Sequence, residues 1–319
     1  MRTFIKENFI LLYFIIALVA IVLLTLLVSF IIFFKTFYAK RKKVIDKNEY
    51  SFPKGKIYEP YYDQMRVWIK ELRAMPHTDV EIKSYDGLVL RGKYYECKKG
   101  APIEIMFHGY RSNAERDLCG GVARCFKLGR NSLLVDQRGC GDSEGSVTTF
   151  GVKESRDCVS WVNFVVDNID SEAQIYITGI SMGAATVMTA ASEPLPENVV
   201  GVLADCGFTS ARDIIKKVMV DMKLPPKLLY PFARLGAIIF GGFDPDSRTP
   251  EKSMKKCHLP IIFYHGDDDQ YVPCYMSEKL YNICTSEKKR LVITKGAGHG
   301  LCYIVDTEGY FRELNEFFK

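Results

Sequence analysis

The sequence predicts an α/β fold, a mostly parallel, doubly wound sheet with an antiparallel start, preceded by one transmembrane helix. Three observations predict it. From Asp79 onward, short β-branched runs alternate with helix-compatible stretches, the pattern of a parallel sheet with crossover helices. Asp86-Gly87 lies between two alternating runs and signals a hairpin, hence the antiparallel start. Phe9 to Phe34 carries no charge over roughly 26 residues, more than the ~20 that cross a bilayer as helix.

The apolar run is too long for a signal-peptide core, and no small-x-small cleavage site follows it. It ends in Phe33-Phe34-Lys35-Thr36-Phe37-Tyr38, residue types that settle at a membrane interface, so residues 1–39 are read as an uncleaved anchor. Arg2 and Lys6 lie before the run, and Lys35, Lys40, Arg41, Lys42, Lys43 and Lys47 lie after it. That excess places the body on the cytoplasmic side. The competing orientation, with the body outside, is also compatible with so short an N-terminus. Residues 40–78 form a basic juxtamembrane tether, up to Pro60, and then a packing helix. Met65, Trp68, Ile69 and Leu72 give Tyr61–Met75 helical spacing.

The body, residues 79–319, begins with strands at 80–84 and 88–95. Further strands are expected at 103–107, 132–136, 174–178, 199–204, 261–264 and 290–294. Helices are expected around Ala114–Leu128, Gly151–Val166, after Ser181, and at Tyr303–Phe318. The chain has 319 residues, 48% of them hydrophobic and 25% charged, which is globular. A net charge of +5, much of it beside the apolar run, gives no reason to expect nucleic acid. The ten cysteines contain no C-x-x-C pair for zinc or redox work and read as reduced thiols of a reducing compartment.

One stretch organises the body. Gln174 to Thr178 is a strand-like run, Ala184 to Ala191 is small and helix-compatible, and between them stands Gly179-Ile180-Ser181-Met182-Gly183. A serine on so sharp a strand-to-helix turn needs small neighbours, and Gly179 and Gly183 supply them. The N–H of Met182, at the opening of the helix, faces any negative charge that develops near the Ser181 oxygen. His108-Gly109-Tyr110 ends another strand, and the N–H of Tyr110 is a second candidate oxyanion donor. In His265-Gly266-Asp267-Asp268-Asp269, Asp269 is chosen as the carboxylate that orients a histidine. Gly298-His299-Gly300 supplies that histidine on a glycine-hinged loop.

The chain order Ser181, Asp269, His299 is that of the α/β-hydrolases. From about Asp79 to the end the sequence resembles this superfamily, especially its small-lid esterase, lipase and peptidase-like members with an N-terminal membrane segment. His108-Gly109, Asp136-Gln137-Arg138-Gly139-Cys140-Gly141-Asp142-Ser143, Gly179 to Gly183, Asp205-Cys206-Gly207-Phe208, His265 to Pro273 and Gly298 to Gly300 carry the resemblance. It implies an α/β-hydrolase fold with a small helical lid at about 209–250. It also implies supporting rather than catalytic roles for Arg138 and Ser143. Leu224-Pro225-Pro226 breaks the lid, and Leu228–Phe240 is mostly apolar, so the lid is either a plain cap over the cleft or a cap that dips into the bilayer.

The function expected is that of a membrane-anchored serine hydrolase. It would cleave a small-molecule or lipid-like carboxylic ester or thioester through an acyl-enzyme on Ser181, with no metal or organic cofactor. A peptidase of the prolyl-oligopeptidase-like branch is one alternative, although Asp213 and Asp221 among lysines outline no clear amine site. A non-catalytic membrane scaffold retaining the fold is the other.

Overall fold

The computed structural model describes residues 2–39 and 49–319, with side chains from Asn8 onward in the first helix. The basic cluster Lys40, Arg41, Lys42, Lys43 and Lys47 lies outside the described residues. The chain runs α1 (Arg2–Thr36), a 3-10 turn (Glu59–Tyr61), α2 (Tyr62–Ala74), β1 (Thr78–Lys83), β2 (Val89–Tyr95), β3 (Ile103–Phe107), α3 (Ala114–Leu118), α4 (Gly121–Lys127) and β4 (Asn131–Val135). It continues with α5 (Glu154–Asn168), β5 (Ile175–Ile180), α6 (Met182–Ala190), β6 (Val199–Asp205), α7 (Ala211–Asp221), α8 (Pro226–Gly241) and α9 (Pro250–Met254). It closes with β7 (Ile261–Gly266), α10 (Tyr275–Ile283), β8 (Lys289–Thr294), α11 (Cys302–Val305) and α12 (Thr307–Phe317).

All eight strands join one sheet in the order β1-β2-β4-β3-β5-β6-β7-β8. β1 and β2, and β2 and β4, pair antiparallel, and every later pair is parallel. Strands β3, β4 and β7 are buried at every position, as expected when helices cover both faces of a parallel sheet. Successive side chains point to opposite faces. Ile105 and Phe107 therefore meet Trp161, Val162 and Val187 on one side. Met106 and Leu134 meet Ile69, Val122 and Cys125 on the other.

The loop after β4 ties this frame together through a buried cation. Arg138 donates to Asp157 at 2.6 Å twice and to Asp86 at 2.9 and 3.0 Å. The Ser143 hydroxyl donates to the Asp136 carbonyl at 2.6 Å and accepts the Arg91 N–H at 2.8 Å. These bonds give Arg138 and Ser143 positions in the scaffold, away from the reacting groups.

Three local expectations are corrected. The single helix expected at Tyr303–Phe318 is two, α11 and α12, because Asp306 leaves the helical conformation (φ −135°, ψ 70°) and its side chain accepts the Gly309 N–H to start α12. The single helix expected around Ala114–Leu128 is two, α3 and α4, because the Gly120-Gly121 backbone lies against neighbours. A Cβ on Gly120 would sit 2.8 Å from Trp68, and one on Gly121 2.6 Å from the Met106 sulfur. The described part of the expected tether is also packed rather than free. Phe52 stacks on Tyr62, Tyr58 is buried, and Ile57 lies against Gly298. Tyr50, Phe52 and Ile57 pack, partly buried, against the same apolar cluster as Ile69 and Val122.

Among the described residues, one helix, Asn8–Thr36 within α1, is long and apolar enough to cross a bilayer. It is not a detached rod. Ser29, Phe33 and Phe37 are buried at helical spacing against the body, chiefly on α8, where a Cβ on Gly236 would sit 2.4 Å from the Ser29 carbonyl oxygen.

Removing Asp157 leaves the buried Arg138 half paired, so Asp157→Ala should cost about 3–5 kcal/mol in urea unfolding. Asp86 behaves differently with pH. Burial raises its pKa, but the bonds from Arg138 and Ser84 prevail and lower it from 3.8 to about 2. Its contribution is thus full above pH 3.8 and is lost as pH falls through about 2. Asp86→Asn should lower stability at neutral pH and flatten the acid limb of a stability–pH curve. An unchanged acid limb would contradict this assignment.

Candidate active site

The sheet reverses its winding between β3 and β5, which are neighbours, so their carboxyl ends open a crevice at Phe107 and Ile180. Ser181 stands in that crevice with φ 56° and ψ −114°, a conformation disfavoured for a residue with a Cβ. Its N–H donates to the Asp205 carbonyl at 2.8 Å, which pins the turn to β6. The flanking glycines are required by contact. A Cβ on Gly179 would lie 2.1 Å from the Gly183 backbone, and one on Gly183 would lie 2.0 Å from the Phe107 carbonyl oxygen.

The structure brings Ser181, His299 and Asp269 into one hydrogen-bonded chain. His299 Nε2 lies 2.9 Å from Ser181 Oγ, and His299 Nδ1 lies 2.6 Å from Asp269 Oδ2. Asp269 is itself held on several sides. Its Oδ1 accepts the N–H groups of Tyr271 at 2.9 Å and Val272 at 2.8 Å, and its Oδ2 lies 3.2 Å from His265 Nε2. Burial pushes the Asp269 carboxyl up, but the bonds from His265 and His299 outweigh it and hold the group well below the usual carboxylate range.

The N–H groups of Met182 and Tyr110 have no acceptor among the described residues. The Tyr110 side chain turns away and donates from its hydroxyl to the Thr36 carbonyl at 2.7 Å. Arg111 donates to the carbonyls of Lys35 at 2.9 Å and Tyr38 at 2.5 Å. The loop after β3 thus caps the orphan carbonyls at the end of α1.

Two histidines of the motifs serve elsewhere. His108 is fully buried, accepts the Gln137 N–H at Nε2 (3.0 Å), and does not join the Ser181 chain. His265 is buried behind Asp269, with Nε2 donating to the Val272 carbonyl at 2.8 Å and Nδ1 accepting from the Ser277 hydroxyl at 2.7 Å. Sequence reasoning assigned His265 no role, since nothing in its spacing from Asp269 reveals the contact. Cys206 was also missed. Its sulfur lies 4.0 Å from His299 Nε2 on a residue with φ 47°.

Among the described residues, one group of three metal-ligating side chains converges, Cys206, Asp269 and His299, with donor atoms within 4.8 Å. Asp269 and His299 are already bonded to each other there. Burial and the nearby Asp205 push the Cys206 thiol pKa well up, against the thiolate that a metal takes. The arrangement suits proton transfer better than metal binding.

A cavity of about 790 Å³ adjoins Ser181 and His299, with Tyr110, Phe150, Phe208, Ile215 and Met219 among its lining. Its walls are mostly apolar, with charged side chains such as Lys54, Arg116 and Asp221 also among the lining.

Comparison with known proteins agrees with this architecture. Residues 105–237 match the α/β-hydrolase fold family and residues 225–301 a serine-hydrolase family. The protein YqkD of Bacillus subtilis is 28% identical over 78% of this chain and 81% of its own length. A membrane protein of Saccharomyces cerevisiae is 28% identical over 60% of this chain and 61% of its own. A solved esterase of Pyrococcus furiosus superposes with a TM-score of 0.66 at 23% identity, covering 88% of this chain and 97% of that one. The chain has the α/β-hydrolase fold.

Gly183→Ala tests the contact on which the turn rests. The added methyl cannot fit against the Phe107 carbonyl without a backbone shift, so the variant should lose about 1–3 kcal/mol of stability, measured by chemical denaturation. Wild-type stability would show that the α6 backbone is free to move away.

Proposed function

We propose that the protein is a membrane-anchored serine hydrolase that cleaves carboxylic ester or thioester bonds through an acyl-enzyme on Ser181. The observation that carries this reading is the unbroken chain Ser181–His299–Asp269 beside two unpartnered N–H groups. His299 Nε2 takes the Ser181 proton as the oxygen attacks the carbonyl carbon. Asp269, held ionised, keeps Nδ1–H directed at itself and stabilises the imidazolium. The Met182 and Tyr110 N–H groups receive the tetrahedral oxyanion. The C–O or C–S bond breaks as His299 protonates the leaving group, and water repeats the sequence to release the acid.

A hydrolase is supported by the matched families and an ester or thioester substrate by the apolar cavity. The peptidase alternative lacks a free acidic pair in the lid. Asp213 accepts from the Thr209 hydroxyl at 2.6 Å, and Asp221 pairs with Lys217 at 2.6 Å. Residues 1–39 serve as the anchor and 79–319 as the catalytic domain, with the lid at about 209–250.

Labelling by a fluorophosphonate probe should be strong in the folded wild type and absent in Ser181→Ala and His299→Ala. Asp269→Asn should lower kcat on a p-nitrophenyl ester by about 10⁴-fold. A folded wild type that fails to label would overturn the reading in favour of a non-catalytic scaffold.

The cytoplasmic side is the orientation proposed for the catalytic domain, supported by the basic residues that follow the apolar run. Cys97 is exposed and reports on this. A membrane-impermeant maleimide should leave it unlabelled in intact cells and label it after lysis. Labelling in intact cells would reverse the orientation.

A further inference from the structure

The geometry points to a substrate that reaches Ser181 from the bilayer: a long-chain acyl ester whose chain enters between α1 and the lid hairpin α7–α8. This inference rests on the serine-hydrolase reading and narrows its substrate class.

The first observation is the register of α1 and α8. Gly236 lies against Ser29, Gly241 against Phe33, and the Phe243 ring packs 5.3 Å from that of Phe37. Residue numbers rise together along both chains, so the two helices run parallel. The lid hairpin, Met222–Leu228, at the start of α8, therefore reaches back along α1 toward the apolar run.

The second is length. From Phe9 to Leu24 every residue of α1 is exposed, and from Thr25 the helix packs on the body. Those roughly 16 free residues span only ~24 Å at 1.5 Å each, short of the ~30 Å hydrocarbon core. A spanning α1 must therefore sink several more residues, to about residue 28, and the part of the lid alongside it descends to the same depth. From there to Thr36, beside the Tyr110 loop, is only about 12 Å along the helix. A long acyl chain covers that distance, whereas an acetyl group does not.

The third is the lid surface. Outside α1, thirteen large hydrophobic residues are exposed among the described residues, and eight of them lie between Val218 and Phe240. Val220, Met222 and Leu228 are each about 60% exposed, a concentration that water disfavours and a membrane interface accepts. Lys223 and Lys227, both exposed, flank the tip where anionic headgroups would lie.

The fourth is continuity. The cavity at Ser181 extends to Met222 and Leu224 at the hairpin and to Ile32 and Thr36 on α1. The anchor thus forms one wall of the chain-binding space, and the lid forms the other.

The test uses the full chain in vesicles of phosphatidylcholine and phosphatidylglycerol. Leu228→Trp adds a fluorophore at the hairpin. Its emission should be quenched by phospholipids brominated along the acyl chain, beyond any quenching of the two native tryptophans. Quenching no greater than in the wild type would overturn the proposal whatever the activity. In the same vesicles the wild type should hydrolyse p-nitrophenyl palmitate, and Val220→Glu with Leu228→Glu should lower that rate at least tenfold. Hydrolysis of soluble p-nitrophenyl butyrate should be unchanged, because neither residue lines the cavity. Equal losses on both esters, or no loss on palmitate, would overturn bilayer access while fluorophosphonate labelling of Ser181 still supported the hydrolase. Loss of that labelling in the wild type would instead overturn the hydrolase itself.

Discussion

The backbone of α6 crosses the carboxyl ends of β3 and β5 with no room for a single methyl group, and the rest of the site depends on that approach. It forces glycine at 179 and 183, and it bends the chain so sharply that Ser181 takes a positive φ. The same bend leaves the Met182 N–H at the start of a helix without an internal acceptor. Because β3 neighbours β5, the loop after β3 arrives at the same point and brings the Tyr110 N–H with it. One steric constraint thus positions the hydroxyl and both candidate donors. A polar constellation assembled from flexible loops would have to pay conformational entropy for each of these placements.

The electrostatics around this turn separate one group from its neighbours. Asp205, Cys206 and Asp269 are all buried near His299. Burial raises the pKa of Asp205 and Cys206 and favours their neutral forms. Asp269 meets the same desolvation but receives two backbone N–H bonds and lies against two histidines, so its carboxylate persists. Hydrogen-bond supply, not exposure, decides which acid stays charged beside the imidazole. His265 belongs to that supply. Its own tautomer is set by the Ser277 hydroxyl and by the Val272 carbonyl, which accepts from Nε2, and the same Nε2 lies 3.2 Å from Asp269.

Much of the frame was legible in the sequence because a buried parallel strand has a local signature. Runs such as Ile103–Phe107 and Ile261–Tyr264 are too apolar and too short to be surface helices, and all eight expected strands occur in the sheet. The α/β-hydrolase fold followed from their alternation with helices and from the motifs at their ends. What was not legible lies in pairings between distant segments. The break at Gly120-Gly121 depends on Trp68 and Met106, and no local pattern announces a neighbour some fifty residues upstream or a strand below. Tyr50, Phe52 and Tyr58 lack helical or strand period, so a packed segment looked like a tether. His265 and Asp269 are four residues apart on a strand end and its loop, where that spacing has no fixed geometric meaning.

The contact between α1 and α8 was hidden for a related reason. α1 is apolar nearly all round and shows no stripe that would mark a partner, whereas α8 is amphipathic and shows which face it buries but not what covers that face. The small residues Ser29 and Gly236 reveal the seam only once they are placed opposite each other. That seam changes what the N-terminal helix is. Its last carbonyls are capped by Arg111 and by the Tyr110 hydroxyl, from the same loop that offers the Tyr110 N–H to the cleft. Residues of α1 also line the cavity beside Ser181. A helix that only retained the protein at a membrane would need neither contact. Joined to the loop, the lid and the cavity at once, α1 is part of the site's own architecture. Where α1 lies therefore helps to shape the cleft itself.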